Sequence, residues 1–462
     1  MTTTRSSPVL GLAPVPGLAP VRQDRGRWPH GKQAPRKQTH NYRAQVLACF
    51  AQLRRFDWIL VAAVLGLAGY GILLVWSASR PALLQAGADP QLYLKKQLLN
   101  VMIGLVLMFT VGLLGPRALR AGAPLAYLLT LLGLLAVLSP LGAAANGARA
   151  WISLPGGFQA EPSELAKLTL VLVTARILSQ ARAGDAQPRI RAVALALVCS
   201  APALVLVAAE PALGITVLLT ILVVSLIILA GTKLRWLAVL ACTAAVAVLT
   251  IWRLHLLKAY QLDRLAAFLH PGTDPAGVGY SATQSKIAIG SGGLFGQGLF
   301  HGQLITGNFV PEPHTDFIFA AAGEELGFAG AIAIIVLLGI VIARSLLIAA
   351  RADDQFGRLV AAGIAIWFAV QAFVNIGMTV GMVPVTGLPL PFVSYGGSAM
   401  FADLLAIGAL QAIRQRARVS EKGTVRAGWK HSVTWTLPRS LPASVSARFL
   451  APPSDSCSHE AG

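Results

Sequence analysis

The chain has 462 residues, 55% hydrophobic and 12% charged, with a formal net charge of +19 and a mean hydropathy of +0.66. This composition excludes an ordinary soluble globular protein and describes a polytopic membrane protein. Much of the positive excess sits in the two tails, as in RWPHGKQAPRKQTHNYR, where it sets topology and attracts anionic membrane lipids rather than nucleic acid.

Residues 1–56 read as a basic cytoplasmic tail, expected to be disordered, with no apolar run that marks a cleavable leader. The fold class expected for the rest is all-α and polytopic, with about ten transmembrane helices of a length a bilayer demands. They fall near 57–78, 97–115, 121–141, 164–183, 189–209, 212–231, 234–256, 316–350, 359–383 and 396–414. Arg54 and Arg55, Arg117 and Arg120, Arg191, Lys233 and Arg235, Arg344, Arg351, Arg358 and Arg414 all land on one side of such a bundle. That asymmetry makes both termini cytoplasmic and turns the longest loops, about 142–163 and 257–315, outward. Residues 415–462 form a second basic, Pro/Ser-rich tail, also expected to be disordered.

The first outer loop, NGARAWISLPGGFQAEPSELAKL, carries Arg149 and Trp151 and then starts a helix with Pro162 at its first position. Glu164 and Lys167 are three apart and share a face, which suits either an interfacial ion pair or one wall of a ligand groove. The second loop contains QSKIAIGSGGLFGQG. Its glycines suit close approach to a phosphate or close helix packing, and they match neither a Walker A loop nor a dinucleotide fingerprint. The histidines around it lack the spacing of a catalytic zinc site, and the four cysteines suggest neither zinc nor a disulfide framework.

HTDFIFAAAGEELG follows, placing Asp316, Glu324 and Glu325 at the start of a membrane segment. Charge there is costly and marks function. Asp316 fits a general base whose partial burial raises its pKa, and equally a helix cap. Glu324 and Glu325 lie deeper and fit buried hydrogen-bonded supports of that helix. Finally, Pro384, Pro389 and Pro391 in MVPVTGLPLPFVSYGGS break helical structure at membrane depth, which requires cover by protein or a wet cavity. Ser394 and Tyr395 fit substrate contact or local packing.

Four ordered blocks, ANGARAWISLPGGFQAEPSELAKL, QSKIAIGSGGLFGQG, HTDFIFAAAGEELGFAGA and NIGMTVGMVPVTGLPLPFVSYGGSAM, resemble the SEDS family (shape, elongation, division and sporulation proteins), and the resemblance spans 57–414. It implies the SEDS fold in the bacterial inner or plasma membrane. The implied enzyme is a peptidoglycan glycosyltransferase polymerising lipid II with a class B penicillin-binding protein as partner. The form of the glycine block favours a RodA-like role in elongation and cell shape over FtsW-like cell division. A lipid II transporter and a silent scaffold are the rival readings.

The resemblance implies that Asp316 is the catalytic residue, and the positions and chemistry of Arg149, Trp151, Glu164, Lys167, Lys286, His314, Ser394 and Tyr395 make them the candidates for substrate binding. Of these Arg149, Lys167 and Lys286 are the cations proposed for the pyrophosphate; no organic cofactor is evident, and a divalent ion, Mg or Mn, has room in such a reaction. Glu210 joins Glu324 and Glu325 as a supporting acid. It marks a departure: where the family usually reads Gln-Pro-Asp-Leu-Gly, this chain has Glu210, Pro211, Ala212, Leu213 and Gly214. Either the carboxylate has moved within one turn or the turn is altered.

Overall fold

The computed structural model describes residues 54–432, apart from 141, 146–147, 155–157, 181–189, 211, 254–261, 263, 265, 267 and 270–277. The tails at 1–53 and 433–462 lie outside the described residues.

Helix α1, Trp58–Gln85, starts at Asp57, whose carboxylate accepts from Leu60 N at 3.3 Å. Helix α2, Leu92–Leu138, has 47 residues, about 70 Å if straight and more than twice the hydrocarbon thickness. It bends at Gly115 (φ 78°, ψ 163°), just before Pro116. Glycine takes this positive φ without a Cβ clash, and proline cannot continue the hydrogen-bond ladder. One helix therefore supplies two of the expected spans.

The first outer loop is not a bare connection. It holds strands β1 (Gly142–Ala145), β2 (Ala148–Leu154) and β3 (Phe158–Ala160) in an antiparallel sheet of order β1-β2-β3. Gly142 pairs with Ile152, which in turn pairs with Ala160. Helices α3 (Pro162–Leu178), α4 (Ile190–Ala209), α5 (Leu213–Leu229) and α6 (Leu234–Arg253) follow. The second outer loop contains α7 (Val278–Ser291) and the single turn α8 (Gln303–Thr306).

The eighth expected segment is two helices, α9 (Ile318–Glu325) and α10 (Gly327–Ala350), broken where Gly327 takes φ 67°. Helix α11, Gln355–Val380, stops at Gly381 in the left-handed conformation (φ 77°). There Met382 N bonds Gly377 O at 2.7 Å, a C-terminal turn that frees the chain for the proline segment. Helix α12, Gly397–Ser432, runs past the expected end at Arg414.

Helices α1, α2, α4, α10 and α11 are long and apolar enough to cross a membrane. Large apolar side chains such as Val106 and Val198 stand exposed on them, as a lipid-facing surface requires. Helix α3 is buried almost all round, packed by α2, α4, α5, α11 and α12. At one end of the bundle Asp57 Oδ2 accepts from Arg344 Nε at 2.9 Å and Nη2 at 2.6 Å, and it also pairs with Arg414. Asp57 N donates to Gln411 Oε1 at 2.7 Å, so α1, α10 and α12 are clamped together there.

Candidate active site

Asp316 lies at the other end, just before α9. The cap position of α9 is Phe317, and no side chain caps it, so the capping role open to Asp316 is not the one it fills. The backbone on both sides is pinned instead. Asn375 of α11 donates from Nδ2 to Asp316 O at 2.9 Å and to Leu388 O at 2.7 Å. Ser394 donates from Oγ to Thr315 O at 2.6 Å while accepting from Leu390 N at 2.8 Å, and Tyr395 N donates to His314 O at 2.9 Å. The proline segment thus forms a brace for 314–316.

The carboxylate itself accepts no hydrogen bond among the described residues. Burial pushes its pKa up from 3.8 to about 6; Glu312 adds to this and Arg264 opposes it. Arg264 was not singled out by sequence, since nothing in its spacing distinguishes it from other loop arginines. Its Nη1 donates to Thr386 O at 3.4 Å. A methyl group placed on Gly387 would sit 3.5 Å from Asp316 Oδ2, and one on Gly214, at the start of α5, 2.9 Å from Thr386 O. The turn at 386–388 therefore joins Asp316, Arg264 and the altered Glu210–Gly214 segment.

Glu164 and Lys167 do not form the interfacial pair expected from spacing. Both are sealed in the core, with side-chain exposures of 2% and 0% and an N–O distance of 2.6 Å. Lys167 Nζ also donates to Gln371 Oε1 at 3.0 Å and lies 5.1 Å over the Trp367 ring. Gln371 accepts from Trp367 Nε1 at 2.6 Å and donates to Pro389 O at 2.7 Å. Lys167 thereby holds the brace from below, its ammonium enclosed by Glu164, Gln371 and the Trp367 ring. Asp403 of α12, 1% exposed, lies within electrostatic reach of Lys167 and Glu164 and accepts from Phe392 N at 3.2 Å. It also escaped the sequence reading.

Glu161, between β3 and α3, is the second acid that sequence reasoning missed. Its N donates to Ser398 Oγ at 2.8 Å, and its Oε1 accepts from Ser163 Oγ at 2.9 Å. It interacts electrostatically with Glu164, Lys167, Asp316 and Glu210. Its position next to Pro162 made it read as a loop end.

The other expected residues divide by place. His314, Tyr395 and Tyr93 form an aromatic cluster, tilted for Tyr93–His314 and edge-to-face for Tyr93–Tyr395, with ring centroids 4.8 Å apart in both pairs. Ser394 is 4% exposed with its hydroxyl used up by backbone, so it braces rather than meets substrate. Lys286 of α7 is exposed and reaches Gly381, where a methyl group would sit 2.6 Å from Nζ. Trp151 is half-buried in β2 beside the Asp316 side of the bundle, and Arg149 lies two residues earlier in the same strand. Glu324 accepts from Leu304 N at 2.7 Å and Ile305 N at 3.1 Å, and Glu325 from Ser77 Oγ at 2.5 Å. Both fasten the α8 segment and α1 to α9.

Among the described residues no group of three His, Cys, Asp or Glu side chains is placed to hold a metal ion. The described side chains by themselves thus supply no all-protein cation site.

These features define a polytopic helical membrane protein with a braced, half-buried carboxylate site at one end of its bundle. The family described as cell cycle protein, FtsW/RodA/SpoVE, matches residues 57–419. The chain belongs to that family. It is 37% identical over 366 residues to the peptidoglycan glycosyltransferase MrdB of Escherichia coli K12, covering 79% of this chain and 95% of that one. It is 36% identical over 364 residues to the probable peptidoglycan glycosyltransferase FtsW of Trichlorobacter lovleyi, covering 78% and 93%. A solved chain described under the structural coordination of polymerization and crosslinking by a peptidoglycan synthase complex matches with TM-score 0.66 and 32% identity, covering 78% of this chain and 98% of that one.

Proposed function

We propose that this protein is a peptidoglycan glycosyltransferase that polymerises lipid II, with Asp316 as its base. The observation that carries the reading is a carboxylate held by backbone bonds on either side, raised to a pKa of about 6 by burial and left without a hydrogen-bond donor among the described residues. Such a group is positioned and still free to take a proton. The acceptor sugar's 4-hydroxyl gives its proton to Asp316 and attacks C1 of the donor MurNAc. Undecaprenyl pyrophosphate leaves from the opposite face, so the α-linked donor yields a β linkage. The leaving group needs charge neutralisation more than protonation, and Arg264 and Lys286 are the described cations that suit this. Arg149 is a third candidate from its place in β2, and Trp151, His314 and Tyr395 suit the sugar and peptide faces.

Names given to relatives include both elongation and division proteins. The glycine block of α7 favours elongation for this chain. A class B penicillin-binding protein is the partner proposed, supported by the synthase complex of the solved relative. Arg120, Arg344 and Arg414 gather at the Asp57 end, so by the positive-inside rule that end is cytoplasmic, as are both termini, and Asp316 faces outward. The test is reconstitution of the full chain with that partner and labelled lipid II, with transpeptidation blocked. Glycan from the native protein and none from Asp316→Asn supports the reading, whereas glycan from both removes Asp316 as base.

A further inference from the structure

The altered turn at 210–214 poses a problem that the chemistry above does not use. Glu210 is 1% exposed, and neither of its carboxylate oxygens has a hydrogen-bond partner among the described residues. No lysine or arginine pairs with it among the described ion pairs. Its own backbone is fixed, with Glu210 N donating to Leu206 O at 3.2 Å and Ala212 N to Glu210 O at 2.7 Å. Four residues on, Gly214 packs against Thr386 and Leu388, the turn beside Asp316. Without a cation or donors an ionised carboxylate costs far more in such a place than a neutral carboxylic acid, so burial favours the protonated form.

The groups facing it add to this constraint. Glu161 acts on Glu210 from the β3–α3 junction, and Glu161 in turn feels Glu164 and Lys167 of α3 and Asp316 before α9. Asp316 feels Glu312 and Arg264, and Asp403 of α12 acts on Lys167 and Glu164 rather than on Glu210. Lys167 is already committed to Glu164 and Gln371. Among the described residues the acids around Glu210 therefore outnumber the cations that face them.

We propose that Glu210 is a positioning residue that works uncharged, as a buried acid supporting the 386–388 turn next to Asp316, and that its ionisation disables the site. The carboxylate has not moved within the turn to replace a missing aspartate; the acid at 210 plays the part of an amide. Burial first and Glu161 second push its pKa up to about 8, which puts the change on the alkaline side of neutral pH. Ionisation there places a second negative charge beside Glu161, loosens the turn that lines Asp316 and repels an anionic donor.

The inference rests on the reading of Asp316 as the base, and two measurements separate their failures. The first is polymerisation by the full chain with its transpeptidase partner across pH. Glu210→Ala is expected to lower kcat about tenfold, and Glu210→Gln, the uncharged isostere, to restore it and abolish the loss of activity above about pH 8. Failure of Glu210→Gln to rescue, or survival of the alkaline loss in it, overturns the proposal. The second is an infrared pH titration of the purified protein without substrate. The difference between native protein and Glu210→Gln is expected to contain a protonated carboxyl band at neutral pH that fades toward alkaline pH, and absence of that band overturns the proposal whatever the activity. An inactive native complex, with the band present, removes the functional reading and leaves the state of Glu210 established.

Discussion

Two groups of buried and half-buried acids sit toward opposite ends of one bundle, which α1 crosses in 28 residues, about 42 Å at 1.5 Å per residue. At one end Asp57 is matched by Arg344 and Arg414 and capped into α1. Burial raises its pKa, yet the hydrogen bonds from the two arginines bring it below the ordinary 3.8. At the other end Asp316, Glu161 and Glu210 are pushed up by burial to about 6, 7 and 8. Both ends bury carboxylates, but only one supplies enough cations. A saturated acid is a clamp, whereas an acid held by its backbone with its oxygens free is available for proton transfer.

The contrast breaks most sharply at Asp316. Asp316→Asn should reduce polymerisation by about 10²–10⁴-fold, the usual worth of a general base, with little change in thermal unfolding in detergent. Asp57→Asn should do the reverse. Removing the charge takes the Asp57 carboxylate away from two partly buried arginines and costs about 3–5 kcal/mol of stability, seen as a lower melting temperature with near-normal kcat in the folded fraction. Equal losses of activity in the two variants would erase the distinction between the ends.

Lys167→Met sharpens it from the middle of the bundle. It strands Glu164, 2% exposed, and should destabilise by about 3–5 kcal/mol, while adding Glu164→Gln recovers most of the loss. No recovery in the double variant would mean that Lys167 acts on substrate after all.

A smaller effect concerns pH. Asp316 works as a base only when ionised, so kcat/KM should fall as pH drops through about 6. Arg264→Met removes the group that opposes the rise and should move this acid limb to higher pH; an unmoved limb separates Arg264 from the site. For stability the sign is opposite to that of a paired acid. The folded state holds this proton more tightly than the unfolded chain, so the group's contribution falls as pH rises from 3.8 to about 6. The smallest effect expected is that of Ser394→Ala, which leaves Leu390 N and Thr315 O without their shared hydroxyl and costs about 1–3 kcal/mol, with a severalfold drop in kcat from the slackened brace.

Most of the helical scaffold was legible because membrane length and apolarity act locally. Within the described residues the ten apolar runs fall on helices, the eighth divided between α9 and α10, and the Gly115–Pro116 pair marks the bend between the second and third. The sheet β1–β3 was missed because its strands are short and one of them, Gly142–Ala145, carries no alternating pattern. Asp316, Glu324 and Glu325 stood out because charge is rare at the start of such a segment. Arg264, Glu161 and Asp403 did not, since an arginine in a loop, an acid before a proline and a lone acid in an amphiphilic helix are all common.

By itself, then, the sequence determined the class of protein, the approximate spans, the side on which its charges gather and the acid proposed as base, since these follow from hydropathy, charge asymmetry and local motifs. Only the tertiary structure decided what each acid is. Whether a carboxylate is a clamp, a base or a neutral support depends on which cations and donors reach it through space. Those partners come from α3, α11, α12 and the 386–394 segment, far away along the chain and adjacent only once it is folded.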